Sequence, residues 1–334
     1  MDPEVPGSSP GGGTILSAHA RYAAYAASAC GYEFRSLDGD DGYLFEVRDG
    51  ARRAFFAAGA GTPYALNDAR AASLARDKAF CAEVLSAAGV PVLPHRMFFV
   101  TERWADMRGP GRELADARRY AETAEYPLFC KPIAASNGLY AEVIASAAEL
   151  DEYVTRVARE HFAILVQPFV KATEYRVFML EGRPLFSYRK AAAEVVGDGK
   201  STLATLIAAL PRHDNAPAPK PRARAADGRL LGASDVLGLG ESAQFEGPAN
   251  RAAGGGASAL IDGAPPVLAR VATAAAAALD LRLAGVDIFD LSGDGAHCAV
   301  IEVNSNPMIA TLEDHGRWDL IETIWRANFA AALR

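Results

Sequence analysis

The segment Ile301-Glu302-Val303-Asn304 sets a carboxylate and an amide two residues apart. Side chains two apart on a strand project to one side. Glu302 and Asn304 therefore point together while Ile301 and Val303 turn to a core. A carboxylate beside an amide carbonyl makes a hard oxygen-donor pair, suited to Mg²⁺ holding phosphate oxygens. Asp287 stands between Val286 and Ile288 in a preceding apolar strand, where a carboxylate needs a partner. If the two strands pair antiparallel through the turn Ser292-Gly293-Asp294-Gly295, Asp287 joins the same face as a third oxygen ligand. Taken alone, Glu-x-Asn more often describes an exposed polar face that ends in a turn over Asn304 to Pro307.

Lys131 closes the short apolar strand Leu128-Phe129-Cys130, and a compact ammonium there can neutralise phosphate charge. Ala134-Ala135-Ser136-Asn137-Gly138 follows; its small residues let backbone N–H groups approach phosphate oxygens. The alternative is a surface turn with a lysine whose stem lies along apolar surface. Gln167-Pro168-Phe169-Val170 breaks after a strand and can offer backbone groups to an adenine edge. Glu174 can accept from ribose hydroxyls, and Arg176 can hold phosphate or acyl-phosphate by paired hydrogen bonds. The alternative is an exposed Glu174–Arg176 pair, worth little. Two glycine-rich look-alikes fail. Gly199-Lys200-Ser201 lacks the P-loop's upstream glycine, because Glu194 stands there, and Gly238-x-Gly240-x-x-Ala243 has no clear strand–helix unit around it. Neither a G-x-S-x-G nor an H-E-x-x-H motif occurs.

The elements that must position these residues alternate along the chain. Ile15 to Cys30 reads as a short strand start and an Ala-rich helix. Gly42 to Val47 and Arg53 to Ala58 read as strands around Arg48-Asp49-Gly50. Asn67 to Ala88 reads as one helix stopped by Gly89 with Pro91 beyond. Strands follow over Pro127 to Pro132, Ala163 to Val170, Glu174 to Leu180 and Leu185 to Tyr188, with a helix over Ser146 to Glu160. Ser201 is expected to cap a helix over Leu203 to Leu210. Pro211 to Asp227, rich in proline and basic residues, reads as an exposed loop. A helix over Val267 to Leu279, strands over Ala284 to Asp290 and His297 to Asn304, and a helix over Trp318 to Leu333 complete the chain. The fold class expected is α+β (α/β mixed), built on largely antiparallel sheets.

A chain of 334 residues with 50% hydrophobic and 22% charged residues has ordinary globular composition, enough for a sizeable core and about two domains. Lys+Arg 34 against Asp+Glu 41 gives a net charge of −7, which argues against nucleic acid as a partner. No apolar run reaches the about 18–20 residues of a membrane span. Met1 to Thr14 lacks a basic start and an apolar segment, and reads as a frayed tail rather than a secretory signal. Cys30, Cys81, Cys130 and Cys298 are scattered, as in a protein of the reducing cytoplasm.

Asp77-Lys78, Lys131-Pro132, Glu174-x-Arg176, Val196-Gly197-Asp198-Gly199-Lys200-Ser201-Thr202, Gly285-Val286-Asp287 and Glu302-Val303-Asn304 occur in that order. Together they resemble the ATP-grasp superfamily of carboxylate–amine ligases. The likeness is to the ATP-grasp module of cyanophycin synthetase and of the bifunctional bacterial glutathione synthetases. Ala249-Asn250-Arg251-Ala252-Ala253-Gly254-Gly255 and Asn306-Pro307 extend it, and it covers about Ala65 to Ala310. The resemblance implies an ATP-grasp fold: a small N-terminal α/β domain over 15–95 after the 1–14 tail, then two α+β subdomains, 96–184 and 185–334, clasping ATP. A mobile loop is expected at about 211–230. It also implies roles. Lys78, Lys131, Ser136, Asn137 and Gly138 would contact ATP phosphates, Gln167, Phe169 and Val170 the adenine, and Glu174 the ribose. Arg176, Lys190 and Asn250 would face the γ-phosphate and acyl-phosphate. Asp287, Glu302 and Asn304 would hold two Mg²⁺ ions, with Mn²⁺ as a substitute. The implied activity joins a carboxylate to an amine, on amino acids or short peptides, through an acyl-phosphate with release of ADP and phosphate. The alternatives are a phosphotransferase on the same scaffold or a catalytically weakened ATP-binding protein. The resemblance leaves the oligomeric state open, with a homodimer as one assembly it allows. Three departures stand out. Tyr140 occupies a position where the family usually has glycine, Ala134-Ala135 replace polar or glycine residues, and Lys190 replaces an arginine.

Overall fold

The computed structural model describes residues 16–59, 61–136, 138–191, 194–210, 222–245 and 256–333. The 1–14 tail, Asn137, Asn250 and the 211–221 part of the proline-rich stretch lie outside the described residues. Within them the chain builds four sheets, packed with helices, and mixes α and β as the sequence predicts.

Near the N-terminus, the Ala18–Cys30 helix begins directly at Ser17, whose Oγ accepts from the Ala20 N–H at 3.3 Å. No strand precedes it among the described residues, contrary to the sequence expectation. It packs with the C-terminal Trp318–Ala332 helix on a three-stranded sheet of Glu33–Ser36, Leu44–Asp49 and Arg52–Ala57. Tyr22, Phe45, Trp325 and Phe329 are fully buried there, each contributing about 1.5–3 kcal/mol by burial. Phe178, Phe186, Tyr188 and Leu283 of the central sheet share this core.

The span Asn67 to Ala88 forms two helices rather than one, Ala69–Arg76 and Lys78–Ala87. Asp77 breaks them in extended conformation, and its Oδ1 accepts from the Ala79 and Phe80 N–H groups at 2.9 and 3.0 Å. An aspartate that caps by its side chain stabilises a new helix start. Here that start sets Lys78 at the first position of the second helix.

Two sheets carry the residues of interest. One orders Arg96–Phe99, Ala163–Pro168, Leu128–Pro132 and Glu142–Ile144, with the Leu114–Thr123 and Ala147–Val157 helices packed on its far side. The central sheet orders Gly256–Ala257, Arg183–Ala191, Thr173–Leu180, Leu283–Asp290 and Cys298–Asn304, antiparallel throughout. One of its faces is apolar: Val177, Met179, Val286, Ile288 and Val303 pack under the Pro266–Ala278 helix. Period-two alternation puts Arg176, Asp287 and Glu302 on the other face.

A fourth, smaller sheet of Glu194–Val196, Ser242–Phe245, Ala223–Ala225 and Leu230–Leu231 has its own core with the short Leu203–Ala208 helix. It interrupts the central sheet between Arg183–Ala191 and Gly256–Ala257. The stretch read as loop to Asp227 thus carries a strand in its described part. Thr202, not Ser201, is the helix cap, because the Ser201 hydroxyl is engaged with Asp198 at 2.7 Å.

Candidate active site

The antiparallel register sets Asp287 directly opposite Arg176 on one side and Glu302 on the other. Arg176 is opposite Tyr188, so Lys190, two residues on, comes beside Glu174. Four strands thereby gather three carboxylates and two cations on one face. Asp287, 1% exposed, accepts from Arg176 at both oxygens, Nε to Oδ1 at 2.7 Å and Nη2 to Oδ2 at 2.6 Å. Lys190 donates to the same Oδ2 at 2.9 Å and also to Glu174. An arginine has fork geometry for one carboxylate, whereas a lysine is a point charge able to bridge two. Lys190 does that here.

The facing sheet and the Lys78–Ala87 helix each add one more cation. Lys131, on the strand Leu128–Pro132 and 5% exposed, points its Nζ at the Ile301 carbonyl, 3.5 Å away. Lys78 lies with its Nζ 3.8 Å from Glu302 Oε2 and donates to the Ala135 carbonyl at 2.6 Å. The Lys78 backbone N–H also bonds to the Ile133 carbonyl at 2.8 Å. This helix start therefore fixes the loop that follows Lys131.

Burial and charge oppose each other across the cluster. Burial pushes the Asp287 carboxyl up, but Arg176 and Lys190 outweigh it and hold the group well below the ordinary carboxylate range. Glu302 is likewise penalised by burial, yet Lys78 and Lys131 bring it below its usual value. Glu174 goes the other way: burial, aided by the Asp287 charge, raises it despite Lys190. Burial lowers Lys131, only partly offset by Glu302. Lys190 is desolvated too, but Asp287 and Glu174 raise it overall. Buried charges persist in such a place only when paired.

The donor chemistry suits a hard divalent cation. Glu302 and Asn304 touch, with Asn304 Nδ2 donating to Glu302 Oε1 at 3.3 Å; an ion that took oxygen from both would have the Asn304 amide turn its oxygen inward. Asp287 fits the same set only when Arg176 and Lys190 release its oxygens. Among the described residues no three His, Cys, Asp or Glu side chains are arranged as a ready metal cluster.

The other predicted residues lie around this centre. Gln167 is buried in the strand Ala163–Pro168, opposite Phe129. Phe169 and Val170 are half-buried just beyond it, with the Phe169 N–H bonded to the Pro127 carbonyl at 3.0 Å. Ser136 is exposed, and Gly138 has a left-handed φ of 72°. Tyr140 adopts φ 54°, the left-handed conformation that costs a bulky residue and favours glycine. Its hydroxyl donates to Glu160 at 2.8 Å, and its carbonyl accepts from the Tyr153 hydroxyl at 2.8 Å. Those two anchors hold the strained residue in place. Sequence reasoning missed Asn67 and Tyr64, whose side chains bond to the backbone of the loop after Asn304. An asparagine one residue before a helix cap and a tyrosine after a proline carry no signal of that contact.

No protein-family model matches the chain. The glutathione biosynthesis bifunctional protein of Streptococcus mutans is 28% identical over 210 residues, 57% of this chain and 28% of that protein. Cyanophycin synthetase of Geminocystis herdmanii is 28% identical over 255 residues, 70% of this chain and 28% of that protein. A bifunctional glutathione synthetase from Pasteurella multocida aligns in structure with TM-score 0.48 and 19% identity, covering 89% of this chain and 41% of that one. The chain thus spans under a third of the length of these two sequence relatives. Within that span the resemblance read from the motifs is borne out: this chain is a relative of the glutathione biosynthesis bifunctional proteins and of cyanophycin synthetase.

Proposed function

We propose that the chain is an ATP-dependent carboxylate–amine ligase that forms a C–N bond between amino acids or short peptides. The observation that carries this reading is the convergence of Glu302, Asn304 and Asp287 with Lys78, Lys131, Arg176 and Lys190 between two antiparallel sheets. Its similarity to ligating relatives supports the reaction class.

ATP and a substrate carboxylate are both anionic, so bringing them together requires compensating charge. Lys78 and Lys131 on one wall and Lys190 and Arg176 on the other supply it. With these groups holding the reactants in line, a carboxylate oxygen attacks the γ-phosphorus and the bond to the leaving ADP oxygen breaks. The amine then attacks the acyl carbon, loses a proton, and displaces phosphate. Holding two reactants in register is worth up to about 7–11 kcal/mol. Glu302 and Asn304, with Asp287 once released, would hold Mg²⁺, which neutralises phosphate charge when bound. Gln167, Phe169 and Val170 would border the adenine, and Ser136 and Gly138 the phosphates. Glu174 would serve the ribose only after parting from Lys190. The four free cysteines suit a reducing cytoplasm, and no described helix is long and apolar enough to cross a membrane.

The test is ADP release from ATP and Mg²⁺ with amino acids and dipeptides, offered singly and in pairs. A ligase releases ADP and free phosphate together only when both an acid and an amine are present. Release into a phosphorylated acceptor with no amine requirement would replace the ligase reading with phosphotransfer.

A further inference from the structure

The ladder between the two strands that carry Asp287, Glu302 and Asn304 ends at the Gly285–Asn304 pair. Just beyond it, the side chain of Asn67 supplies the next connection. Its Nδ2 donates to the Leu283 carbonyl at 2.7 Å and to the Ser305 carbonyl at 3.0 Å. Its Oδ1 accepts from the Arg282 and Leu283 N–H groups at 2.9 and 3.1 Å. An asparagine amide has two donors and two acceptor sites, and all four are used. One side chain from outside the sheet therefore ties the start of the central strand to the residue that follows Asn304.

The neighbouring contacts point the same way. The Tyr64 hydroxyl donates to the Pro307 carbonyl at 3.2 Å, Asn306 Nδ2 donates to the Gly61 carbonyl at 3.4 Å, and Ser305 Oγ donates to the Ala72 carbonyl at 3.4 Å. Pro307 lies so close to Gly285 that a Cβ there would sit 3.0 Å from the proline Cβ. Residues 305–307 are thus held by the segment 61–72 on one side and by the central strand on the other.

We propose that Asn67 is a positioning residue for the divalent-cation end of the site. It sets Ser305, and through it the Asn304 side chain, relative to the strand bearing Asp287. It acts through the backbone of that loop and does not itself touch cation or nucleotide. This inference rests on the reading of Glu302 and Asn304 as cation ligands.

Asn328 provides an internal control. It is fully buried and ties the same segment to the C-terminal helix, accepting from the Ala65 N–H at 2.6 Å and donating to the Pro63 carbonyl at 2.9 Å. Those bonds run to Pro63 and Ala65 and not to residue 305. Asn67→Asp keeps the size and the acceptor oxygen of Asn67 but replaces the donor nitrogen with a second oxygen and turns a carboxylate toward two carbonyls. Mn²⁺ binding would be followed by electron paramagnetic resonance with a non-hydrolysable ATP analogue present, alongside thermal melting of the full chain. Asn67→Asp should weaken Mn²⁺ about tenfold or more, the scale of outer-shell effects on metal sites. Asn328→Asp should lower the melting temperature and leave Mn²⁺ affinity unchanged. If Asn67→Asp does not fold, Asn67→Ser, which retains a hydroxyl donor, should show the same loss in smaller degree. Wild-type Mn²⁺ affinity in the folded Asn67 variant would overturn the assignment alone, as would an equal loss in Asn328→Asp. Failure of the wild type to take up Mn²⁺ with the analogue would overturn the cation reading beneath it as well.

Discussion

The turn Gly197 to Thr202 contains two glycines, a lysine and two hydroxyls, whereas the longer loop Ile133 to Ala141 has one glycine, two alanines in a row near its start and a tyrosine near its end. The first has the residue types of a phosphate cradle, although the motif fails at Glu194. Its bonds serve the small sheet instead. The Gly197 N–H reaches the Glu241 carbonyl at 2.8 Å, and the Gly197 carbonyl accepts from Gly240 at 2.9 Å. Asp198 accepts from the Lys200 and Ser201 N–H groups at 2.9 and 2.6 Å, which holds its carboxyl down at about 2. Lys200 is exposed. The second loop leaves the strand of buried Lys131 and is fastened to Lys78 at Ile133 and Ala135. Glycine can thus mark a place where backbones crowd, whereas the glycine-poor loop is the one that lies beside two cations. What separates the two loops is the charge their flanking residues bring.

The largest expected effect breaks that comparison most directly. Lys131→Met should reduce ATP-dependent ADP formation by about 100-fold or more, the scale seen when one preorganised charge-stabilising group is removed. Lys200→Met should stay within about twofold, as surface substitutions away from a site do. A steady-state ADP assay on both variants reads the contrast, and a large loss in Lys200→Met would return the phosphate role to the glycine-rich turn. Gly197→Ala is next in size. An added Cβ would meet the Gly238 carbonyl oxygen at 2.2 Å and Leu237 Cβ at 2.5 Å, crowding that costs about 1–3 kcal/mol. Thermal melting should show the loss, while ADP formation well below the melting range should change little.

A smaller effect concerns the carboxylate shared by Arg176 and Lys190. Both Asp287 oxygens are bound to these cations. A divalent cation arriving alone must compete with that pairing, whereas ATP would draw the cations toward its phosphates. Metal and nucleotide should therefore favour one another's binding, and the coupling must be reciprocal. Lys190→Met should strengthen Mn²⁺ binding in the absence of nucleotide by about 5-fold, a modest coupling for such linkage. Asp287 then retains Arg176 as a counter-charge, so the variant should still fold. Mn²⁺ titration by water-proton relaxation checks the sign, and weaker binding in the variant would contradict this arrangement.

The fold was legible where period and punctuation agreed. The alternation around Asp287 and Glu302 predicted two antiparallel strands with those carboxylates on one face, and the register delivers both. Gly89 and Pro91 marked a helix stop that lies within two residues of the observed end. The break at Asp77 was not read, because an alanine-rich pattern on both sides looks like one helix until the aspartate is seen to cap the second. Strands as short as Glu142–Ile144 and Ala223–Ala225 carry too few residues for a period-two pattern. In the site, charged residue types announced themselves. Their pairing did not, because Lys190, Glu174 and Asp287 come from three strands and meet only through register. Asn67 was silent for a related reason: its four partners are backbone groups more than 200 positions along the chain.

The smallest expected effect lies in pH dependence and bears on Lys131 alone. Burial pulls its ammonium below the ordinary value of 10.5, and Glu302 restores only part of that. Between the lowered folded value and 10.5, the unfolded chain holds a proton that the native chain has released. Stability rises with pH wherever the unfolded state binds more protons, so this lysine adds a positive slope over that window. Below the folded value both states are protonated and the slope vanishes. Other groups titrate in alkali, including the buried Tyr64 phenol, which burial raises; its native state keeps the proton longer and adds a slope of opposite sign. The difference between wild type and Lys131→Met cancels such shared contributions. Denaturant unfolding of both proteins from neutral pH toward 10.5 should therefore give a wild-type-minus-variant stability that climbs with pH. A flat difference would mean that Lys131 reaches solvent as easily as an exposed lysine, and that the wall opposite Glu302 is wet.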